Sequence, residues 1–324
     1  MVDLTTTYAG LNLANPLIVS SSGLSDSIAK IERLAGYGPG AIVLKSLFEE
    51  QIMAEAGKLM DGHDYPEASD YIRNYTKDHS VGEYLKLISS AKSKIGIPLI
   101  ASINCLTSTD WIGFARQIEE AGADALELNM FLLPIDGSDP RKIEQVYLDL
   151  IQRVKGKTNL PLIIKIRPYF SNLIHLVQQF HAVGASAVVM FNRLYEPDID
   201  VDALKITHAE VFSNPSDLRH TLRWIGLISD PLRKIDLSAS TGVHDSEAVI
   251  KLLLAGAQTV QVCSVLYRHG PQYIEDLVGG LTRWMEEKKY SKIDQFRGKM
   301  SYRSIENPRT WERSQFMRYF SNYH

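Results

Sequence analysis

Lys45, Asn104, Asn129, Lys165, Asn192 and Ser264 each follow closely on a short apolar run. Buried ammonium and amide groups cost free energy unless partners meet their donors and acceptors. The pattern therefore implies a shared polar ligand. A second cluster is made of small residues: Thr241-Gly242-Val243, then Gly256-Ala257 leading through Thr259–Val262 to Cys263-Ser264. If these are two neighbouring strand ends with tight turns, their backbone N–H groups can converge on one phosphate. Lys165, in Ile163-Ile164-Lys165-Ile166-Arg167-Pro168-Tyr169-Phe170, has three open roles. It could stabilise negative charge on a reduced cofactor ring, act as a Schiff-base amine, or form a salt bridge across a barrel mouth.

The elements that must position these residues alternate strand and helix. Leu4–Tyr8 and Leu11–Leu13, separated by Ala9-Gly10, read as a small hairpin. Then come apolar runs: Leu17–Val19 ending in Ser20-Ser21-Ser22-Gly23, Ala41–Leu44, Pro98–Ile103, Ala125–Leu128, Leu162–Ile164, Ala187–Met190, Ile235–Ala239 and Thr259–Val262. Unbroken apolar runs suit parallel strands covered on both faces. Helical patterns lie between them at Ile112–Glu120, Lys142–Val154, Leu173–Val183 and Ser246–Leu254, and Gly122, Gly184 and Gly256 stand where helices stop. Eight strands in this rhythm predict a (β/α)₈ TIM barrel with an N-terminal β-hairpin. Two longer segments, Phe48–Ser80 and Tyr195–Ser216, follow strand ends and are expected to lie as loops over the C-terminal face, as lid or as surface elaboration. Residues 1–324 are read as a single barrel domain in which 294–324 is a C-terminal extension, packed on the barrel, on a partner or solvated. The polar residues would then share the barrel mouth. A flavin would meet them with ring nitrogens and oxygens, ribityl hydroxyls and a phosphate.

Composition excludes several classes. The net charge of −3 gives no basic field for nucleic acid, and no apolar run is long enough for a membrane span. Cys105 and Cys263 are the only cysteines, without metal-ligand spacing, so neither a metal nor a disulfide framework is expected. The start, Met1-Val2-Asp3-Leu4, lacks a signal-peptide pattern, and the expectation is cytoplasmic.

The motifs, in order, resemble those of the dihydroorotate dehydrogenases, the cytosolic class 1 type most closely. The resemblance rests on Asn15-Pro16-Leu17 with Ser21-Ser22-Gly23, Leu44-Lys45-Ser46, Glu127-Leu128-Asn129, Lys165 through Phe170, and Gly256-Ala257 through Tyr267 with Gly270-Pro271. It runs from the hairpin to about Gly298. It implies FMN in a (β/α)₈ barrel and a small, anionic substrate oxidised at a CH–CH bond, as in pyrimidine biosynthesis. Ser22 and Gly23 would then lie beside the flavin, with Lys45, Ser46, Asn104, Asn129, Lys165 and Asn192 around its ring. Thr241, Gly242, Cys263 and Ser264 would hold the phosphate, with Cys263 acting through its backbone. Lys45, Asn129, Asn192 and Arg193 are the candidates for substrate. Class 1 relatives suggest a homodimer, and a separate electron acceptor is implied because the chain has no iron–sulfur cysteine cluster.

The departures fall on the substrate half. After Glu-Leu-Asn the family carries a loop with a proton-abstracting Cys or Ser; here the sequence is Met130-Phe131-Leu132-Leu133-Pro134, and Leu132 cannot accept a proton. The catalytic base is therefore unassigned, with Asp136, Ser138, Asp139 and Cys105 as substitutes nearby. Arg167 and Arg193 could bind an anion bidentately or pair with loop carboxylates. Two other functions compete: a non-catalytic flavin-binding relative, and a phosphate-binding lyase using Lys165.

Overall fold

In the computed structural model the described residues are 2–48, 66–104, 111–132, 137, 139–193, 196–232 and 234–312, without the side chains of 66–78, 111–113 and 140. A hairpin of β1 (Thr6–Tyr8) and β2 (Leu11–Leu13) leads into the barrel strands β3 (Leu17–Val19), β4 (Ala41–Val43), β6 (Leu99–Asn104), β7 (Ala125–Asn129), β8 (Leu162–Ile166), β9 (Ala187–Met190), β12 (Asp236–Ser240) and β13 (Thr259–Val262). Every barrel pairing is parallel, and β4 closes the ring by pairing with β6. The short β5 (Leu47–Phe48) adds to β6 beyond the end of β4.

The four predicted helices are present as α3 (Trp111–Glu120), α4 (Pro140–Lys155), α5 (Leu173–Ala182) and α7 (Ser246–Ala255). Others are α1 (Ile28–Ala35), α2 (Pro66–Lys92), α6 (Leu218–Ile228), α8 (Ser264–His269), α9 (Tyr273–Glu287) and α10 (Arg309–Glu312). Residues 66–80 thus belong to a helix, where a loop was expected. Pro66 starts α2, a position where its missing N–H costs nothing. Further along, Tyr84, Ile88 and Ala91 form a buried helical stripe that docks on the barrel. Tyr195–Ser216 is also more than a loop: it contains the antiparallel ribbon β10 (Pro197–Asp200) and β11 (Lys205–His208). The chain from 298 to 312 packs back on the barrel, with Gly298 N–H donating to Leu253 O and Tyr302 N–H to Gly226 O.

The barrel interior is graded. Ile18, Ala41, Val43, Ile100, Ala125, Ile163, Ala187 and Val189 fill its lower part, and Tyr8, Ala9 and Leu13 of the hairpin plug the bottom. Because side chains alternate faces along a strand, the next inward positions follow by twos. Ile100 leads to Ser102 and Asn104, Ala125 to Glu127 and Asn129, Ile163 to Lys165, and Thr259 to Gln261 and Cys263. The inner row therefore changes from apolar to polar as it rises to the C-terminal mouth.

Candidate active site

Lys165 stands at the centre of the polar layer, 4% exposed. Its Nζ donates to Ser20 Oγ (3.0 Å) and Gln261 Oε1 (3.2 Å) and lies 3.6 Å from Glu127 Oε1. Glu127 is fully buried and accepts from Gln261 Nε2 at 2.9 Å. The salt bridge across the mouth, one of the three roles open to Lys165, is thus present. Removing one partner of a buried pair typically costs about 3–5 kcal/mol, because the other charge is left uncompensated. Neither Glu127, Gln261 nor Ser20 stood out as a site residue in the sequence. Their signal was the alternation itself: each faces inward two residues from an apolar position or an expected site residue.

Lys45 and Ser46 reach the mouth because β4 stops early. Tyr84 Oη, on α2, donates to Ser102 O (2.9 Å) and accepts from Ser102 N–H (2.8 Å). That hydroxyl occupies the backbone groups of β6 between its pairings with β4 and β5, so after the Leu44 N–H bond to Ile100 O residues 45 and 46 leave the ladder. Ser46 N–H then donates to Ser21 Oγ at 2.8 Å, and Ser46 Oγ lies 2.7 Å from Ser102 Oγ. Among the described residues nothing accepts a hydrogen bond from Lys45 Nζ. Across the mouth Asn192 Nδ2 donates to Asn129 Oδ1 at 2.8 Å.

A cavity of about 450 Å³ opens beside this layer. Ser20, Ser21, Lys165, Asn192 and Gln261 line one end, and Thr241, Gly242, Cys263 and Ser264 the other. Thr241 (φ 83°) and Gly242 (φ 81°) are both left-handed. A Cβ on Gly242 would come within 2.1 Å of Leu218 N at the start of α6, so only glycine allows this approach. The N–H groups of Thr241, Gly242 and Cys263 donate to no described protein acceptor, and consecutive N–H groups in such turns form anion-binding concavities. These residues fit a phosphate at one end of the cavity and a flat hydrogen-bonding ring at the other.

One cavity wall is the segment Glu210–Ser213. Arg193 holds it: Nη1 donates to Asp217 Oδ2 (2.8 Å), Nη2 to Glu210 O (2.7 Å) and Nε to Val211 O (3.3 Å). Of the two roles open to Arg193, the structure has it paired with a loop carboxylate. On the far side Ser213 N–H donates to Ser264 Oγ (3.0 Å), Ser213 Oγ meets His244 Nε2 (3.0 Å), and Phe212 packs on Tyr267. Burial first, then the Arg268 charge, lower the pKa of His244.

The remaining expected residues are placed as follows. A Cβ on Gly23 would meet the Tyr267 hydroxyl at 3.0 Å, so its smallness serves that contact. Ser22 caps a short 3₁₀ turn by accepting from Leu24 N–H. Burial raises the pKa of Cys263, partly offset by Ser22 and Lys165, so its thiol is not activated. Asn104 ends β6 at the mouth. Asp139 is exposed and caps α4, where the Arg141 N–H and side chain lower its pKa; as a helix cap it is poorly placed to act as base. Cys105, Asp136 and Ser138 lie outside the described residues. Leu132 N–H donates to Tyr147 Oη at 3.2 Å. Among the described residues no group of three His, Cys, Asp or Glu side chains could hold a metal, and no helix is long and apolar enough to cross a membrane.

Comparison with known proteins agrees with this geometry. The family model described as "Dihydroorotate dehydrogenase" matches residues 3–285. The chain is 25% identical over 316 residues to the catalytic subunit of dihydroorotate dehydrogenase B (NAD(+)) of Thermoplasma volcanium, covering 92% of this chain and 98% of the relative. It is 26% identical over 295 residues to the corresponding subunit of Pyrococcus abyssi, covering 89% and 96%. It is also 24% identical over 321 residues to the NAD-dependent dihydropyrimidine dehydrogenase subunit PreA of Escherichia coli K12, covering 91% of this chain and 76% of the relative.

Proposed function

The chain belongs to the dihydroorotate dehydrogenase family, whose members are oxidoreductases, and from that membership we propose that it is an FMN-dependent enzyme oxidising a small ring substrate at a CH–CH bond. The observation that carries the proposal is the cavity between Lys165 and the left-handed Thr241–Gly242 turn. Its volume is ordinary for a small-molecule site, roughly 300–1,000 Å³.

The N–H groups of Thr241, Gly242 and Cys263, with the Ser264 hydroxyl, would hold the phosphate. Lys165, kept in place by Ser20, Gln261 and Glu127, would set its positive charge beside the ring. Held there, FMN would supply the hydride-accepting chemistry that these residues do not. Lys45, whose amine has no described partner, would bridge to the substrate with Asn129 and Asn192, while Ser22, Gly23, Ser46 and Asn104 would frame the ring. The proton from the adjacent carbon needs a base. Leu132 cannot serve, so Asp136, Ser138 and Cys105 are the proposed acceptors. The lyase alternative is weaker, because a Schiff-base amine needs a free lone pair and the Lys165 amine is engaged by three partners.

Two partners complete the proposal. The relatives' names call them catalytic subunit and subunit, which supports a separate electron-accepting chain. A second copy would cover the ribbon β10–β11, where Ile199 (62% exposed) and Ile206 (74%) pair across the strands on one face. A lone two-stranded ribbon is marginal in water.

The test is an absorption spectrum after reconstitution with FMN, followed by anaerobic addition of dihydroorotate or dihydrouracil. Bleaching by either supports the enzyme. Flavin uptake without bleaching favours the non-catalytic relative, and no uptake refutes the cofactor assignment.

A further inference from the structure

Arg167 is an anomaly. It is 5% exposed, and its Nε is buried without a hydrogen-bond partner. No carboxylate among the described residues pairs with it, and none of them accepts a hydrogen bond from its guanidinium. Its nearest recorded companions are aromatic. The guanidinium carbon lies 5.7 Å from the centre of the Phe170 ring, and its charge opposes the burial that raises the Tyr147 phenol pKa. A cation–π contact recovers part of the desolvation cost but gives the buried Nε–H no acceptor. A buried N–H donor without an acceptor is costly, and an anion at the mouth would supply one.

Its position says which anion. Arg167 follows Lys165 by two residues, just past the C-terminal end of β8 at the barrel mouth. It stands between the continuations of β7 and β9: Met130 N–H bonds Lys165 O and Asn192 N–H bonds Ile166 O. The phosphate-type turn lies on β12, on the far side of β9 from β8. The Tyr147 hydroxyl, within reach of the Arg167 charge, receives the Leu132 N–H. Arg167 therefore stands on the β7–β8 side of the mouth, away from that turn. We infer that Arg167 is a specificity-determining residue that binds a carboxylate on the substrate. A planar guanidinium presents paired donors matched to a carboxylate's two oxygens. The inference rests on the proposed oxidation of a small ring and selects, between the two substrate chemistries named for the relatives, the ring that bears a carboxylate.

The test is calorimetric titration of the FMN-loaded protein with orotate and with uracil, which lacks the carboxylate. Wild type is expected to prefer orotate. Arg167→Met should weaken orotate by at least about 30-fold, the lower end for truncating a buried charged pair, and leave uracil within about threefold. Arg167→Lys, which keeps the charge but not the paired donors, should fall between them and serves if the Met variant does not fold. Equal orotate affinity in wild type and Arg167→Met, or a wild-type preference for uracil, overturns the inference while leaving the flavin assignment standing. A ligand-free melting temperature that collapses in Arg167→Met with orotate affinity kept by Arg167→Lys means an internal partner, and also overturns it. If the protein takes up no FMN, the cofactor assignment fails. The orotate-induced rise in melting temperature, compared between wild type and Arg167→Met, then still decides the role of Arg167.

Discussion

Replacing Arg193 with alanine is expected to speed cofactor loss far more than it weakens the barrel. Arg193 holds the wall Glu210–Ser213 through one ion pair and two bonds to carbonyls. The ion pair with Asp217 is about a quarter to a third exposed on each side, so it contributes about 0.5–1 kcal/mol. The two bonds to carbonyls have a charged donor but lie in exposed surroundings, and about 1 kcal/mol each is a fair allowance. Together these favour the closed wall by about 2–3 kcal/mol, or a factor of about 30–150 at 1.4 kcal/mol per tenfold. Release through the opened wall should accelerate by the same factor. The assay is the rise in flavin fluorescence after diluting FMN-loaded protein. Arg193→Lys keeps the ion pair but cannot reach both carbonyls, and should release at an intermediate rate. The melting temperature of the FMN-free protein should change little, because the barrel strands and their helices are untouched. A release rate for Arg193→Ala within twofold of wild type would refute the argument that this wall retains the cofactor.

Other predictions follow from the same site. Lys165→Met strands the fully buried Glu127 carboxylate and should destabilise the protein by about 3–5 kcal/mol; adding Glu127→Gln should restore much of that loss in a denaturant titration. Gly242→Ala places a Cβ against Leu218 N at a left-handed backbone position. It should cost well over 1 kcal/mol, read as a lowered melting temperature together with weaker FMN uptake. The lowered pKa of His244 means that the unfolded chain binds its proton more readily than the folded one. Stability should therefore decline as pH falls below the ordinary histidine value near 6.5 toward the lower folded value. His244→Gln should flatten that part of the melting-temperature profile; an unchanged slope would remove His244 as its cause.

Much of the barrel was legible before any coordinates. Parallel strands covered on both faces are largely apolar, so most barrel strands showed as short runs, with Gly122, Gly184 and Gly256 marking the turns. The polar residues of the mouth were legible for the same reason: a Lys or Asn directly after a buried run has few places to go except the mouth. The helical start of α2 and the ribbon β10–β11 were not legible. The ribbon exposes every residue of both strands, so no burial pattern marks it. The outer stripe of α2 gains meaning only when docked on β6.

Sequence alone determined the fold, the layer in which the polar groups collect and the glycine that the left-handed turn after β12 requires, because these follow from local alternation and backbone sterics. Tertiary structure decided who pairs with whom. Glu127 meets Lys165 across neighbouring strands, Gln261 bridges them from the opposite wall, and Arg193 closes on a segment some twenty residues later. Arg167, equally plausible in the sequence as a salt-bridge partner, is left with a buried Nε and no described acceptor. Charge pairing depends on distances between residues far apart in the chain, and only the closed ring of strands sets those distances.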